Sequence, residues 1–375
     1  MKVGVQLVKI KTKKHFHIYK LKNKTIIIMK KYLLIAVIAL QAFIINAQNK
    51  SDREPFLTKS FSNASIKNVV VETTGGNISV TGESKADTRI EVYVQQNNHD
   101  VNNLSKDEIQ KRLDEDYVLN ISADNGKLTA TAKPKERNMN WKKALSISFK
   151  VYTPVNVTTD LQTSGGNIEL DNVSGKQRFS TSGGNLHINN VSEDIKGRTS
   201  GGNIHLTNCK DEIDLQTSGG NIEASNCKGN INLETSGGSL RLNDLEGKIR
   251  AHTSGGNVQG ESVSGELISH TSGGNIDLKH LSCSLETSTS GGNIDVSIKE
   301  LGKYITISNS GGNIDLQMPG NKGVDLKLAA DKIKTGTLKN FNGKSDDDEI
   351  TGTLNGGGIP VSVRAGSGRI NLSFD

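Results

Sequence analysis

The chain has 375 residues, of which 33% are hydrophobic and only 4% aromatic, with 40 Gly, 5 Pro, 3 Cys and 1 Trp. So few large side chains leave a compact globule short of bulk for its core, and the composition excludes a membrane bundle, a collagen and a disulfide-dense mini-protein. The formal charge of +6 sits at the front: residues 1–47 hold ten Lys and no Asp or Glu, so from Gln48 onward 36 basic groups face 40 acidic ones. A mildly acidic chain has no reason to concentrate on phosphate backbones, and nucleic acid is not expected as a partner.

In chain order, residues 1–28 are Lys-rich and patternless, and read as upstream sequence from a start codon set too early. Residues 29–47 read as a signal peptide: Lys30 and Lys31, an apolar run from Leu33 to Ile45, then Ala47, after which cleavage is expected. The run is shorter than the roughly 20 residues of a bilayer span, so the mature chain is expected to have none; an uncleaved anchor is the alternative. The expected location is exported: periplasm, cell surface or extracellular space.

Residues 48–162 read as N-terminal β coils with a helix and hairpin insertion. Thr73 to Val80 spell TTGGNISV, and Ile90, Val92 and Val94 alternate as a strand does. Ser105 to Asp116 predicts a short helix, with Ser105 and Glu108 as a capping box and Ile109 and Leu113 on one face. Asn125-Gly126 predicts a hairpin turn between strands near 117–123 and 127–133.

Residues 163–319 repeat. Gly-Gly pairs begin at Gly165, Gly183, Gly201, Gly219, Gly237, Gly255, Gly273 and Gly291, each 18 residues after the last, and once more at Gly311. A fixed period of this length is the signature of a solenoid in which each repeat is one coil. Apolar residues alternate over short runs, predicting two strands per coil and three inward columns. One runs through Ile168, Leu186, Ile204, Ile222, Leu240, Val258, Ile276 and Ile294, and another through Leu170, Ile188, Leu206, Ala224, Leu242, Leu278 and Val296, broken by Gly260. The third runs from Ile195 through Ile213, Ile231, Ile249, Leu267 and Leu285, with Gln177 in its first position. The Gly-Gly pair is expected to supply positive φ for a sharp reversal. The Asn after it is expected to stack as a ladder of amides, interrupted at Ser239.

Residues 320–375 read as C-terminal β coils and a cap that blocks end-to-end growth, with SGRINLSF from Ser367 to Phe374 repeating the turn and strand. The fold class expected is all-β: a parallel β-solenoid, or β-helix, of 18-residue two-strand coils with irregular N-terminal and C-terminal caps.

The serial TSGGNI turns, the LSISFKVYTP stretch at Leu145 to Pro154 and the tail LNGGGIPVSVRAGSGRINLSF at Leu354 to Phe374 occur in this order. In them the sequence resembles the bacterial putative-adhesin family of β-strand-repeat domains found in Bacteroidetes-like exported proteins. The resemblance implies a β-solenoid of undefined biochemical role, and it brings no catalytic residues.

Several constellations invite chemistry. Cys209 and Cys227 share an inward column with Val173, Val191, Leu245, Val263 and Leu281, and read as buried small apolar groups, with a disulfide between coils as the alternative. Cys283 falls in a predicted turn and is expected to be unpaired. Asp277, Asp295 and Asp315 form an outward carboxylate row whose spacing of about 5 Å could chelate calcium or suit a retaining glycosidase. The same row holds Glu169, His187, His205, Glu223, Arg241 and Gln259, a mixture that favours a solvated face.

His252 and His270 are neighbours across coils, as are His187 and His205, each pair without an evident third metal ligand. The acidic run Asp346 to Glu349 lacks the spacing of a calcium loop. No helix start follows the GGN turns, which argues against phosphate cradles. The repeats offer only Phe179 and Tyr304 as aromatics, with Phe179 expected inward, and Trp141 is the one aromatic to watch for a contact role.

No catalytic, cofactor-binding or metal residue is therefore expected, and no cofactor. The function expected is that of a non-enzymatic adhesin or cell-envelope scaffold, making multivalent side contacts to an envelope protein or a glycan. The alternatives are a polysaccharide lyase or hydrolase on a β-helix scaffold and a weak calcium-binding surface protein.

Overall fold

The computed structural model describes residues 54–61, 65–84, 88–96, 104–136 and 144–375. The expectations for residues 1–28 and 29–47, and for Trp141, lie outside the described residues. From Pro55 to Asp375 the chain is one unit, all-β and β-solenoid-like, with a single helix among the described residues, Lys106–Asp116.

Through the repeats each strand pairs in parallel with its counterpart one period later. Ser174–Thr181 lies beside Ser192–Thr199 with Gln177 opposite Ile195, and Lys210–Thr217 lies beside Ile222–Thr235 with Ile213 opposite Ile231. This register stacks like on like, so the apolar columns are continuous and every member is buried. Where a column residue shrinks, its neighbour fills the space. Phe179 is buried, and a Cβ on Gly197 in the next coil would sit 2.1 Å from its ring. Leu278 reaches toward Gly260 in the same manner. Gln177 is fully buried yet satisfied: it accepts from Thr159 Oγ1 at 2.6 Å and donates to the Val157 carbonyl at 2.7 Å.

The turn chemistry differs from expectation in two ways. First, neither Gly of the repeated pair adopts positive φ. The second Gly is required by close approach instead: a Cβ on Gly184 would lie 1.8 Å from the Gly166 carbonyl oxygen of the coil before it, whereas on Gly183 nothing comes nearer than 3.8 Å. Positive φ falls at the next corner instead, at Asn172, Asn190, Asn208, Asn226, Asp244, Ser262 and His280, with φ between 52° and 57°, and again three residues on at Gly175, Glu193, Asp211, Gly229, Gly247 and Gly265. Asn and Asp tolerate that region because their short polar side chains bond locally. Second, the Asn after the glycines does not bond amide to amide. Its Oδ1 accepts the backbone N–H of the next Asn, as Asn167 does from Asn185 at 2.8 Å.

A buried Thr ladder, unforeseen from the sequence, locks the same turn. Thr181 Oγ1 donates to the Gly166 carbonyl at 2.8 Å and accepts from the Gly184 N–H at 3.3 Å, and Thr199, Thr217 and Thr235 repeat the pair of bonds. These bonds satisfy backbone groups that the tight turn would otherwise bury without partners.

At both ends spatial order departs from chain order. Ile78–Gly82 pairs in parallel with Ile168–Asp171, and on its other side with Leu145–Thr153, which in turn runs antiparallel to Thr88–Gln96. The helix begins at Ser105 with the capping box formed and Leu113 buried. The hairpin at Asn125-Gly126 joins Tyr117–Asp124 to Lys127–Pro134, with both turn residues at positive φ. At the other end Ile359–Ala365 lies parallel to Val324–Ala329 and to the end of Ile294–Asn309, and Ile314–Met318 pairs with Arg369–Phe374.

Candidate interaction faces

The repeat turns its polar residues outward in rows, each coil contributing one side chain at every position. One row follows the short strands through Glu169, His187, His205, Glu223, Arg241, Gln259, Asp277, Asp295 and Asp315, all in register. The rings of His187 and His205 stack with centroids 5.5 Å apart. Glu223 is shared between His205 Nδ1 at 3.2 Å and Arg241 Nη1 at 3.5 Å. The three aspartates do come together as a stacked row. Burial, and then the carboxylates of Asp277 and Asp315, push Asp295 above its ordinary value, while Lys279 opposes the shift. Lys279 Nζ binds Asp277 at 3.2 Å, and Asn371 from the C-terminal strand donates to Asp315, closing the row. Among the described residues no group of three His, Cys, Asp or Glu is arranged to hold a metal ion.

The longer strands carry a second face. There His252 and His270 stack at 5.1 Å, His270 Nδ1 lies 2.8 Å from Ser288 Oγ, and burial followed by the neighbouring His252 lowers the His270 pKa. Tyr304 is half-buried and donates to Glu266 at 2.8 Å, a bond that pushes its phenol up to about 12. It is thus tied to the sheet surface. A groove of about 630 Å³ crosses this face between Asp194, Glu212 and Asp214 on one side and Lys248 and Arg250 on the other. Its carboxylates are already engaged: Arg178 with Asp194, Asn230 with Glu212 at 2.6 Å, and Asn232 with Asp214 at 2.9 Å.

All three cysteines are free and buried. Cys209 and Cys227 stand in adjacent coils of one inward column, where the contact with Cys227 and burial hold the Cys209 thiol well above its usual range. Cys283 is not in a turn. It lies within Ile276–Thr289, 1% exposed, and burial pushes its thiol up to about 12. It stands opposite Gly265, and Leu281 and Ser284 in the same strand are buried as well. In the acidic run, Lys344 pairs with Asp346 at 2.8 Å and Glu349 at 3.0 Å, forming a charged surface loop.

The corner residues at positive φ form a further polar row that sequence reasoning missed. Asn190 Nδ2 donates to Asn172 Oδ1 at 2.9 Å, and Asn226 bonds Asn208 likewise. Asn at the same repeat position in four successive coils was the available signal.

Residues 207–373 match the model of the Toastrack DUF4097 family. No curated protein matches the chain. Among solved structures, a putative cell adhesion protein from Clostridium sporogenes ATCC 15579 is 10% identical, over 85% of this chain and 98% of that one, with a TM-score of 0.17. A putative adhesin from Bacteroides fragilis NCTC 9343 is 14% identical, over 84% and 96%, with a TM-score of 0.28.

Proposed function

We propose that this chain, whose residues 207–373 match the model of the Toastrack DUF4097 family, is an exported, non-enzymatic adhesin or cell-envelope scaffold. In this reading the molecule is a parallel β-solenoid whose 18-residue coil is the unit of binding. The observation that carries it is the in-register stacking of exposed polar side chains, which presents a polar group at the same place on successive coils of both faces. A repetitive surface of this kind suits a partner that is itself repetitive, a glycan or an array of envelope proteins, because weak contacts then combine through multivalency.

The test removes whole coils, one, two and then three at a time, and measures binding to an array of glycans and envelope components beside a polysaccharide degradation assay. Binding should fall in steps with coil number, with no polysaccharide cleaved. Cleavage that a single substitution among Asp277→Asn, Asp295→Asn and Asp315→Asn abolishes, with the melt unchanged, would replace this reading by a carbohydrate-active enzyme.

A further inference from the structure

The Asn ladder beside the glycine turns is broken at one place in the regular coils, where Ser239 stands between Asn221 and Asn257. The break costs the turn nothing. Ser239 N–H still donates to Asn221 Oδ1 at 2.8 Å, and Ser239 Oγ accepts from the Asn257 N–H at 3.2 Å. The exchange of Asn for Ser therefore keeps both ladder bonds while removing the bulk of a carboxamide from the surface. A depression of about 290 Å³ lies at this spot, between Asn221, Ser239 and Asn257 on the turn side and Glu223, Arg241 and Gln259 on the sheet side.

We propose that this notch is a saccharide subsite that takes one neutral hexose ring of a longer glycan. The proposal rests on the adhesive reading and names the ligand class for one place on the same face. Its size lies at the lower end of small-molecule pockets, about 300 Å³ and upward, so it suits a single ring.

Its charge is balanced. Arg241 is the sole Lys or Arg in the row from Glu169 to Asp315, and it lies against Glu223, which His205 Nδ1 holds from the other side at 3.2 Å. A balanced pair offers no net attraction to an anion or a cation, but it offers complementary partners to a polyol. The carboxylate accepts from neighbouring hydroxyls, while the guanidinium and the amides of Asn221, Asn257 and Gln259 donate to hydroxyl and ring oxygens.

Ser239→Asn is the discriminating variant. It restores the residue found at this position in neighbouring coils, so the fold should accept it while the notch is filled. Full-length protein and variant are titrated with maltohexaose, cellohexaose and mannohexaose, with oligogalacturonate as the charged control, by saturation-transfer NMR. At least one neutral hexaose should bind the native chain, and Ser239→Asn should weaken it tenfold or more with the melting temperature unchanged. Arg241→Ala should weaken it as well. Binding of a neutral hexaose that Ser239→Asn leaves intact would overturn the subsite while the adhesive reading stands. Failure of all three neutral sugars, or tighter binding of oligogalacturonate, would overturn the ligand class, and the coil-deletion series would still decide the adhesive reading by itself.

Discussion

Two adjacent glycines illustrate how much a single position depends on the coil beside it. In the sequence they are indistinguishable, both repeating with the same period. In the stack, a Cβ on Gly184 would overlap the Gly166 carbonyl at 1.8 Å, while one on Gly183 finds open space to 3.8 Å. Backbone on both sides is fixed by the parallel ladder, so nothing flexible can yield. Gly184→Ala should therefore cost about 3 kcal/mol through forced displacement of packed backbone. Gly183→Ala should stay within about 0.5 kcal/mol, aided by the lower freedom of the unfolded chain. Urea melts of the two variants make the comparison, and equal losses would show that local φ, rather than approach between coils, makes the pair obligatory. The positive-φ corner at Asn172, Asn190, Asn208 and Asn226 was legible as a recurring Asn, although the sequence could not show that the demand for left-handed backbone lay there and not at the repeated Gly-Gly pair.

At the scale of the strand, stacking like on like helps apolar residues and penalises like charges. The strands bearing Asp277, Asp295 and Asp315 place three carboxylates in one row, and burial together with the two flanking carboxylates raises Asp295 above 3.8. A carboxyl whose folded pKa is raised binds its proton more tightly in the native state. Its contribution to stability is then fully present below pH 3.8 and is lost as the pH rises through the folded value. Asp295→Asn should accordingly melt higher than the native chain at pH 7 and no higher at pH 3. The gain should be below about 1 kcal/mol, because the group is largely exposed and screened, and it should shrink as salt is added. Thermal melts at both pH values check the sign; a variant less stable at pH 7 would mean that the row is held by interactions other than repulsion. The row itself was legible from period and alternation. Cys283 was not, because what covers it is set by the irregular pairing between Ile276–Thr289 and Ile294–Asn309, where the register shifts beside it.

For the whole molecule the decisive quantity is register. Partners in neighbouring coils stand 18 residues apart, as Asn185 and Asn167 do, so removing that number slides the chain by one complete coil and leaves every column aligned. Deleting residues 217–234 should give a shortened chain that melts cooperatively. Deleting residues 217–233 instead leaves one residue too many in the coil and turns inward side chains outward within it, since side chains alternate between faces. That variant should lose the cooperative transition or bulge out its extra residue with a large drop in midpoint. Circular dichroism melts of both deletion variants would decide, and equal behaviour would mean that the columns tolerate slippage.

The amino-acid sequence by itself determined the period, the inward columns and the outward rows, as well as the capped helix and the Asn125-Gly126 hairpin, because each depends on alternation or on residues a few positions apart. Repetition reinforces this: every coil meets a neighbour like itself, so one coil's pattern states the environment of the next. Tertiary structure alone decided the ends. Ile78 finds Ile168 across the whole insertion, and Ile314 finds Ile370 after the chain has gone out and returned. Those pairings are set by which sheet edges remain open and by backbone closeness between coils, and neither leaves a signal in the local sequence.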